Sequence, residues 1–142
     1  MLNKRIRKAK QLFLEQNLAL AKSEFQNILK VDESSLESRY FLAGILMLQN
    51  QFQEAIQEYR VLDEKNYPQK GESKLNLCRC YIELENCPQA EIVLSEYDRL
   101  PDRSEAQYYL QLGKIRLKQE QYKEATSCFK NVLQIEYDNQ EA

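Results

Sequence analysis

Histidine and tryptophan are absent from the 142-residue chain, and glycine is scarce. Without histidine the chain lacks the commonest general base and the commonest neutral metal ligand. The three glycines, at positions 44, 71 and 113, stand far apart, so no glycine-rich loop could hold the phosphates of a nucleotide. Acidic pairs such as Glu83 and Glu85 fall at predicted helix ends, where solvation is the default. The sequence therefore predicts no catalytic residue, no metal ligand, no cofactor and no enzymatic activity.

Long apolar runs are also missing, and neither sign of charge dominates. No apolar run approaches the roughly 20 residues of a membrane-spanning helix, and the first residues lack the apolar core of a secretory signal. The net charge is −2 with 30% charged residues, which gives no general attraction for nucleic acid. We predict a cytoplasmic protein with no membrane span and no nucleic-acid partner. Its four cysteines, at 78, 80, 87 and 128, are then expected to be reduced.

The sequence does contain a fourfold repeat of about 35 residues. Alanines at positions 21, 55, 90 and 125 are separated by 34, 35 and 35 residues. Each alanine follows an apolar or aromatic residue by three positions and precedes another by four. These steps place the side chains on one face of an α-helix. The spacing predicts helix B of each repeat over residues 18–29, 52–63, 87–98 and 122–133.

A partner helix, helix A, is predicted before each helix B. The residues twelve positions before the repeated alanines are small, namely Ala9, Ala43, Cys78 and Gly113. A small residue among large ones indicates a point where two helix backbones approach closely. Short polar segments such as 15–17 and 119–121 suit tight turns between the helices. The scarcity of glycine and proline favours the same all-α fold.

This pattern resembles the tetratricopeptide repeat (TPR). The family's order of small residue, large residue, alanine and aromatic residue is matched best by Gly113, Tyr122, Ala125 and Phe129. The resemblance implies an all-α, right-handed superhelical solenoid of antiparallel helix pairs. It implies one domain over 1–142, with repeats at about 2–35, 36–70, 71–105 and 106–139. Residues 140–142 are interpreted as the start of a fifth repeat.

The chain departs from the family at an early aromatic position of helix A. Three repeats carry Arg5, Arg39 and Lys74 there, and only the fourth keeps an aromatic residue, Tyr109. The shared spacing of all four repeats, which covers nearly the whole chain, carries the resemblance in spite of these substitutions.

In this family helix A lines a concave groove that receives a peptide or a partner's helix. The positions that the resemblance assigns to this groove include Lys10, Tyr40, Phe41, Met47, Asn76, Arg79, Gln111, Lys114 and Lys118. Lys10, Arg79 and Lys114 are equivalent, so a row of cations is expected beside an apolar patch of Tyr40, Phe41 and Met47. A protein or peptide with acidic and apolar residues would suit this groove. The alternative is that the cations are solvated or paired with Glu72 and Glu83.

Two sharper hypotheses for a site are not supported. Family members that bind the carboxylate tails of chaperones use a set of Lys, Asn and Arg residues, whereas this chain has Phe41 and Glu72 among the corresponding positions. A thiolate metal site with Cys87 is disfavoured because Cys78 and Cys80, two residues apart on a helix, point about 200° away from each other.

The basic segment from Lys4 to Lys10 forms an amphipathic helix that could contact anionic lipid or act in targeting. Its apolar residues, however, fit the register of helix A in the first repeat. Packing within the repeat is therefore the favoured interpretation.

Two classes of function stay open. The first is a non-catalytic scaffold or adaptor that binds a peptide or partner helix, and the second is the N-terminal repeat module of a larger enzyme or secretion or assembly component. The C-terminal end has no polar capping helix of the kind that usually ends a solenoid. Three interpretations of this end stay open. The chain is a fragment of a longer protein, or it associates end to end with another copy, or it leaves Leu133 and Ile135 partly exposed.

Overall fold

The chain consists of α-helices joined by short segments. The computed structural model describes residues 2–141. Over this range it has eight helices and no strand. They are α1 (Leu2–Leu14), α2 (Leu18–Val31), α3 (Leu36–Leu48), α4 (Phe52–Glu64), α5 (Lys70–Glu83), α6 (Cys87–Asp98), α7 (Glu105–Lys118) and α8 (Tyr122–Glu141). The predicted all-α fold of helix pairs is confirmed.

The helices divide into two compact units. Unit 1 ends at Tyr67 and contains α1 to α4, and unit 2 begins at Pro68 and contains α5 to α8. In unit 1, α1 packs on α2, α2 on α3 and α3 on α4; in unit 2, the same order links α5 to α8. Each unit therefore holds two helix pairs of the predicted kind. The repeat boundaries themselves stay a prediction.

A left-handed residue closes the turn within each helix pair. The second residue of each three-residue join has φ between 58° and 62°, at Gln16, Asn50, Glu85 and Glu120. The N–H group of the next residue then reaches back to the helix, as Asn17 N does to the Leu12 carbonyl oxygen at 2.9 Å. This is the Schellman arrangement, in which a residue that is usually glycine satisfies the last carbonyl groups of a helix.

Small residues form the contact between the two helices of a pair. Ala9, Ala21 and Ala43 are fully buried in unit 1, as is Cys78 in unit 2. The Sγ atom of Cys78 lies 3.6 Å from the carbonyl oxygen of Ala90, the repeated alanine of its own helix pair. The close approach predicted from the spacing of small residues is therefore confirmed.

Ion pairs occupy two of the positions where the family has an aromatic residue. In unit 1, Arg39 Nη1 lies 2.7 Å from Glu58 Oε2, and these side chains are 18% and 21% exposed. In unit 2, Lys74 Nζ lies 3.2 Å from Glu96 Oε1. In both pairs a cation on helix A meets an acid on helix B. The departures from the family pattern thus join the two helices of a pair.

All four B helices begin at the predicted residue, but three of them end later. The largest difference is in α8, which was predicted over 122–133 and runs to Glu141. Residues 134–141 include neither glycine nor proline, the two strongest helix breakers, and α8 continues through Asn139. Residues 140 and 141, interpreted from the sequence as the start of a fifth repeat, lie at the end of α8, and Ala142 lies outside the described residues.

Candidate binding surface

An aromatic cluster lies on the helix A side of unit 1, with Phe41 at its centre. The Phe41 ring is 5.5 Å from the ring of Phe13 in an edge contact, and 5.5 Å from Phe25, on which it stacks. Tyr40 packs edge-on against Phe41 at 5.7 Å and stacks on Tyr67 at 5.2 Å. Such ring pairs contribute about 0.5–1.5 kcal/mol beyond the area they bury. The cluster is a preformed apolar surface in which Phe25 is buried and the other rings are partly exposed.

The cation of this surface is already paired within unit 1. Lys10 Nζ lies 2.8 Å from Glu37 Oε2 and 5.4 Å from the centre of the Phe41 ring. Its partner is thus neither of the two acids that the sequence suggested. Burial, together with the carboxylate of Glu37, raises the pKa of the Tyr67 hydroxyl. Because Lys10 is paired with Glu37, the surface around Phe41 is chiefly apolar rather than cationic.

The edge of this surface is also apolar. Met47 is half-buried, whereas Leu14 and Leu48, at the C-terminal ends of α1 and α3, are strongly exposed. The equivalent positions in unit 2 hold Glu83 and Lys118. The two units therefore present different chemistry at equivalent places of the repeat.

Two of the predicted groove cations in unit 2, Arg79 and Lys114, have no carboxylate partner among the described residues. Arg79 Nη1 donates to Asn76 Oδ1 at 2.7 Å, and Nη2 donates to Gln107 Oε1 at 3.3 Å. Amide oxygens are neutral, so these bonds orient the guanidinium and leave its charge in place. Lys114 is exposed and forms no ion pair within residues 2–141. The third cation, Lys118, approaches Glu85 at 3.8 Å, so it is weakly paired.

A buried amide lies on the same face of α7. Gln111 is three residues from Lys114 and four from Gln107, which places all three on one side of the helix. The Gln111 side chain is 0% exposed, and neither its oxygen nor its nitrogen has a hydrogen-bond partner. Leaving such groups unpaired costs about 1–3 kcal/mol. Gln111 is thus a buried polar group that packing alone does not explain.

The structure brings together some of the residues predicted for the groove. Lys10, Tyr40 and Phe41 are clustered in unit 1, and Asn76 and Arg79 are bonded in unit 2. The sequence did not indicate that Asn76 and Gln111 would be buried. It also did not indicate that Phe25, assigned to the core, and Tyr67, in a join, would complete the aromatic cluster. Whether these residues bind a ligand stays a prediction.

The buried thiols of Cys78 and Cys80 are expected to be unreactive. Burial raises the pKa of each thiol from 9.0 to about 12, so the reactive thiolate is almost absent at about pH 8. We expect iodoacetamide at about pH 8 to modify these cysteines only when unit 2 unfolds, as measured by mass spectrometry of peptides from folded and urea-unfolded samples. Rapid modification in the folded chain would contradict this prediction.

The same thiols make stability depend on alkaline pH. Because their pKa is raised in the folded state, the unfolded chain loses these protons first as the pH rises. Their contribution to stability is complete below about pH 9 and is lost as the pH approaches about 12. Replacing both by alanine should flatten this loss in urea denaturation curves.

Neither a metal site nor a membrane span is found in the part of the chain that the structure describes. No group of three or more Cys, Asp or Glu side chains in residues 2–141 is arranged to hold a metal ion. None of the helices described is both long enough and apolar enough to cross a membrane.

The TPR fold consists of antiparallel helix pairs that repeat about every 35 residues, and the two helices of each pair pack through small residues. The chain has this fold, and the resemblance drawn from its sequence is confirmed at that level. No protein-family model matches the sequence, and no curated protein matches it.

Solved structures with the same fold come from several organisms. MamA (residues 41 to the end) from Desulfovibrio magneticus RS-1 is 16% identical with a TM-score of 0.84, over 97% of this chain and 77% of that one. TPR-like repeats of a putative kinesin light chain from Podospora anserina are 18% identical with a TM-score of 0.80, over 99% and 77%. PilF from Pseudomonas aeruginosa is 19% identical with a TM-score of 0.75, over 94% and 60%.

Proposed function

We propose that this chain is a non-catalytic, cytoplasmic scaffold that binds a segment of a partner protein on its A helices. The observation that carries the proposal is the pair of uncompensated cations in unit 2. Arg79 is held by two neutral amide oxygens, and Lys114 is exposed without a partner among the described residues. A surface that keeps its charge in this way is suited to a carboxylate of another molecule.

The chemistry of the partner segment is inferred from the two surfaces. A carboxylate at Arg79 would form charge-assisted hydrogen bonds, which are about twice as strong as neutral ones. An aromatic or large aliphatic side chain would suit the cluster around Phe41 in unit 1, since buried apolar anchors carry most of the affinity of an interface. The proposed partner therefore carries acidic residues for the surface of unit 2 and apolar residues for the surface of unit 1.

The proposal is tested by reversing the two charges of unit 2. The double variant Arg79→Glu, Lys114→Glu is expected to lose capture of partner proteins from a native lysate, because like charges would repel an acidic segment. Captured proteins are identified by mass spectrometry, and binding of labelled peptides that alternate acidic and apolar residues is measured by fluorescence anisotropy. Circular dichroism should show unchanged helix content.

The matched control carries the same change of charge elsewhere. Lys30 and Lys65 are exposed in unit 1 and form no ion pair within the part of the chain that is described. The double variant Lys30→Glu, Lys65→Glu should bind as the wild type does. Equal capture by the wild type and by the variant at positions 79 and 114 would overturn the proposal.

A further inference from the structure

The exposed face of α1 is cationic over most of its length. This helix contains five Lys and Arg residues and no acid. Lys4, Arg7 and Lys8 are exposed, and their spacing of three and four places them on one stripe. None of the three forms an ion pair or hydrogen bond within residues 2–141. The apolar side of α1, which includes Ala9, is used by the packing of unit 1.

The exposed face of α8 is apolar in its C-terminal half. Leu133 is 65% exposed and Tyr137 is 58% exposed, one turn apart. This half also carries Glu136 and Asp138, both exposed, and no basic residue. The chain thus has an exposed cationic helix in unit 1 and an exposed acidic and apolar one in unit 2.

The order of charges along the two helices distinguishes between two ways of pairing them. In an antiparallel pair, the stripe of Lys4 and Lys8 lies beside Glu136, and Lys123 and Lys130 in the first half of α8 lie near Glu15, just after the end of α1. In a parallel pair with the same stripe beside Glu136, Lys123 and Lys130 would lie before the start of α1, far from Glu15, so this second contact between opposite charges would be lost. Charge therefore favours the antiparallel arrangement, which α2 and α3 already adopt within unit 1 as a B helix followed by an A helix.

We propose that α1 of one copy docks antiparallel on α8 of a second copy. The aliphatic stems of Lys4 and Lys8 cover Leu133, and the Arg7 guanidinium can lie over the Tyr137 ring, a contact of about 0.5–1 kcal/mol at exposed sites. Because the two docking surfaces differ, the contact is heterologous, and each copy can bind one further copy through α1 and another through α8. This inference does not depend on the surface proposed to bind a partner protein.

The strength of this association should depend on salt. The exposed apolar area is small, so the interface is well below the size typical of permanent dimers. The charges steer the two ends together and fix their direction, and they are screened at high ionic strength. Sedimentation velocity over a concentration series should show larger species at about 0.05 M salt, and weaker association by about tenfold or more at about 0.5 M salt.

A charge exchange tests which surfaces are involved. The first variant, Lys4→Glu with Lys8→Glu, and the second, Glu136→Lys with Asp138→Lys, should each sediment as monomers, because the exposed stripe of α1 at positions 4, 7 and 8 and the C-terminal half of α8 then carry the same sign of charge. An equimolar mixture should associate again, because α1 of each variant is complementary to α8 of the other. The control Lys30→Glu, Lys65→Glu should associate as the wild type does, and circular dichroism should show that all variants are folded.

Three outcomes would overturn the inference. The first is a wild-type chain that stays monomeric at every concentration. The second is unchanged association of the variant at positions 4 and 8, which would mean that α1 is not involved and that α8 pairs with itself or with another surface. The third is a mixture of the two variants that stays monomeric although each variant is folded. Failure here would leave the binding test at Arg79 and Lys114 unaffected.

Discussion

Replacing Gly113 by alanine is expected to lower the free energy of unfolding by about 1–3 kcal/mol, although alanine is the better helix former. A Cβ atom at this position would lie 2.6 Å from Cε1 of Phe129 and 3.0 Å from two other atoms of the same ring. The ring is held between α7 and α8, so relief of the contact requires the two helices to separate or the ring to leave its rotamer. Urea denaturation followed by circular dichroism measures the change.

Gly44 provides the matched control for this substitution. It also lies within an A helix, α3, but the nearest atom to an added Cβ would be the Tyr59 hydroxyl oxygen at 3.9 Å, an ordinary contact. Gly44→Ala should therefore raise stability by about 1 kcal/mol through helix propensity alone. A Gly113→Ala variant that is as stable as Gly44→Ala would show that the two helices of unit 2 do not depend on close contact at this point.

Replacing Gln111 by leucine should have the opposite effect and raise the free energy of unfolding by about 1–3 kcal/mol. The side chain is fully buried and both polar atoms of its amide lack a partner, so an apolar side chain of similar volume removes an unpaired donor and an unpaired acceptor together. Thermal denaturation of the two proteins at one concentration gives the comparison.

The control for Gln111 is another glutamine on the same face of α7. Gln107 accepts a hydrogen bond from Arg79, so Gln107→Leu loses an interaction and should not be stabilising. If Gln111→Leu proves more stable and also loses the capture of partner peptides, the amide takes part in binding at the expense of stability, a trade common at functional sites. A destabilised Gln111→Leu chain would instead mean that the amide is satisfied in solution.

The positions of the helices could be predicted from the sequence because the repeated pattern lies within single helices, among residues close together in the chain. The alanines at 21, 55, 90 and 125 fix the face of each B helix, and all four helices begin where the pattern does. Helix ends were harder, since α8 continues beyond the last repeated position in a segment that favours helix. Asp138 and Asn139 favour turns, yet both lie within α8, so turn propensity alone did not locate the end of this helix.

Pairings between side chains could not be predicted in the same way. Lys10 and Glu37 are 27 residues apart, and periodicity gives no means of choosing Glu37 over other acids on neighbouring helices. The pairs Arg39–Glu58 and Lys74–Glu96 were missed for the same reason, although both cations had been recognised as departures from the family pattern. Long side chains find partners through rotamers and tertiary packing, which spacing does not encode.

Two predicted site residues that are equivalent in the repeat differ in their hydrogen bonding, which the position in the repeat could not predict. Asn76 and Gln111 hold equivalent positions on α5 and α7 and both are buried, but Asn76 is bonded to Arg79 and Gln111 is not bonded. The resemblance placed both on the side of helix A that faces a ligand. The two amides differ because Arg79 donates a hydrogen bond to Asn76, whereas Lys114, the counterpart of Arg79, forms no hydrogen bond with Gln111.

The left-handed residues at the turns have a consequence for how this protein can change over time. Gln16 and Glu120 are exposed and adopt a left-handed conformation that costs roughly 1–2 kcal/mol for residues other than glycine, asparagine and aspartate. A single exchange to glycine at either of them can therefore offset a similar loss of stability caused by a mutation elsewhere on the surface. The residues on the surface of the chain can thus change while its helix pairs stay folded.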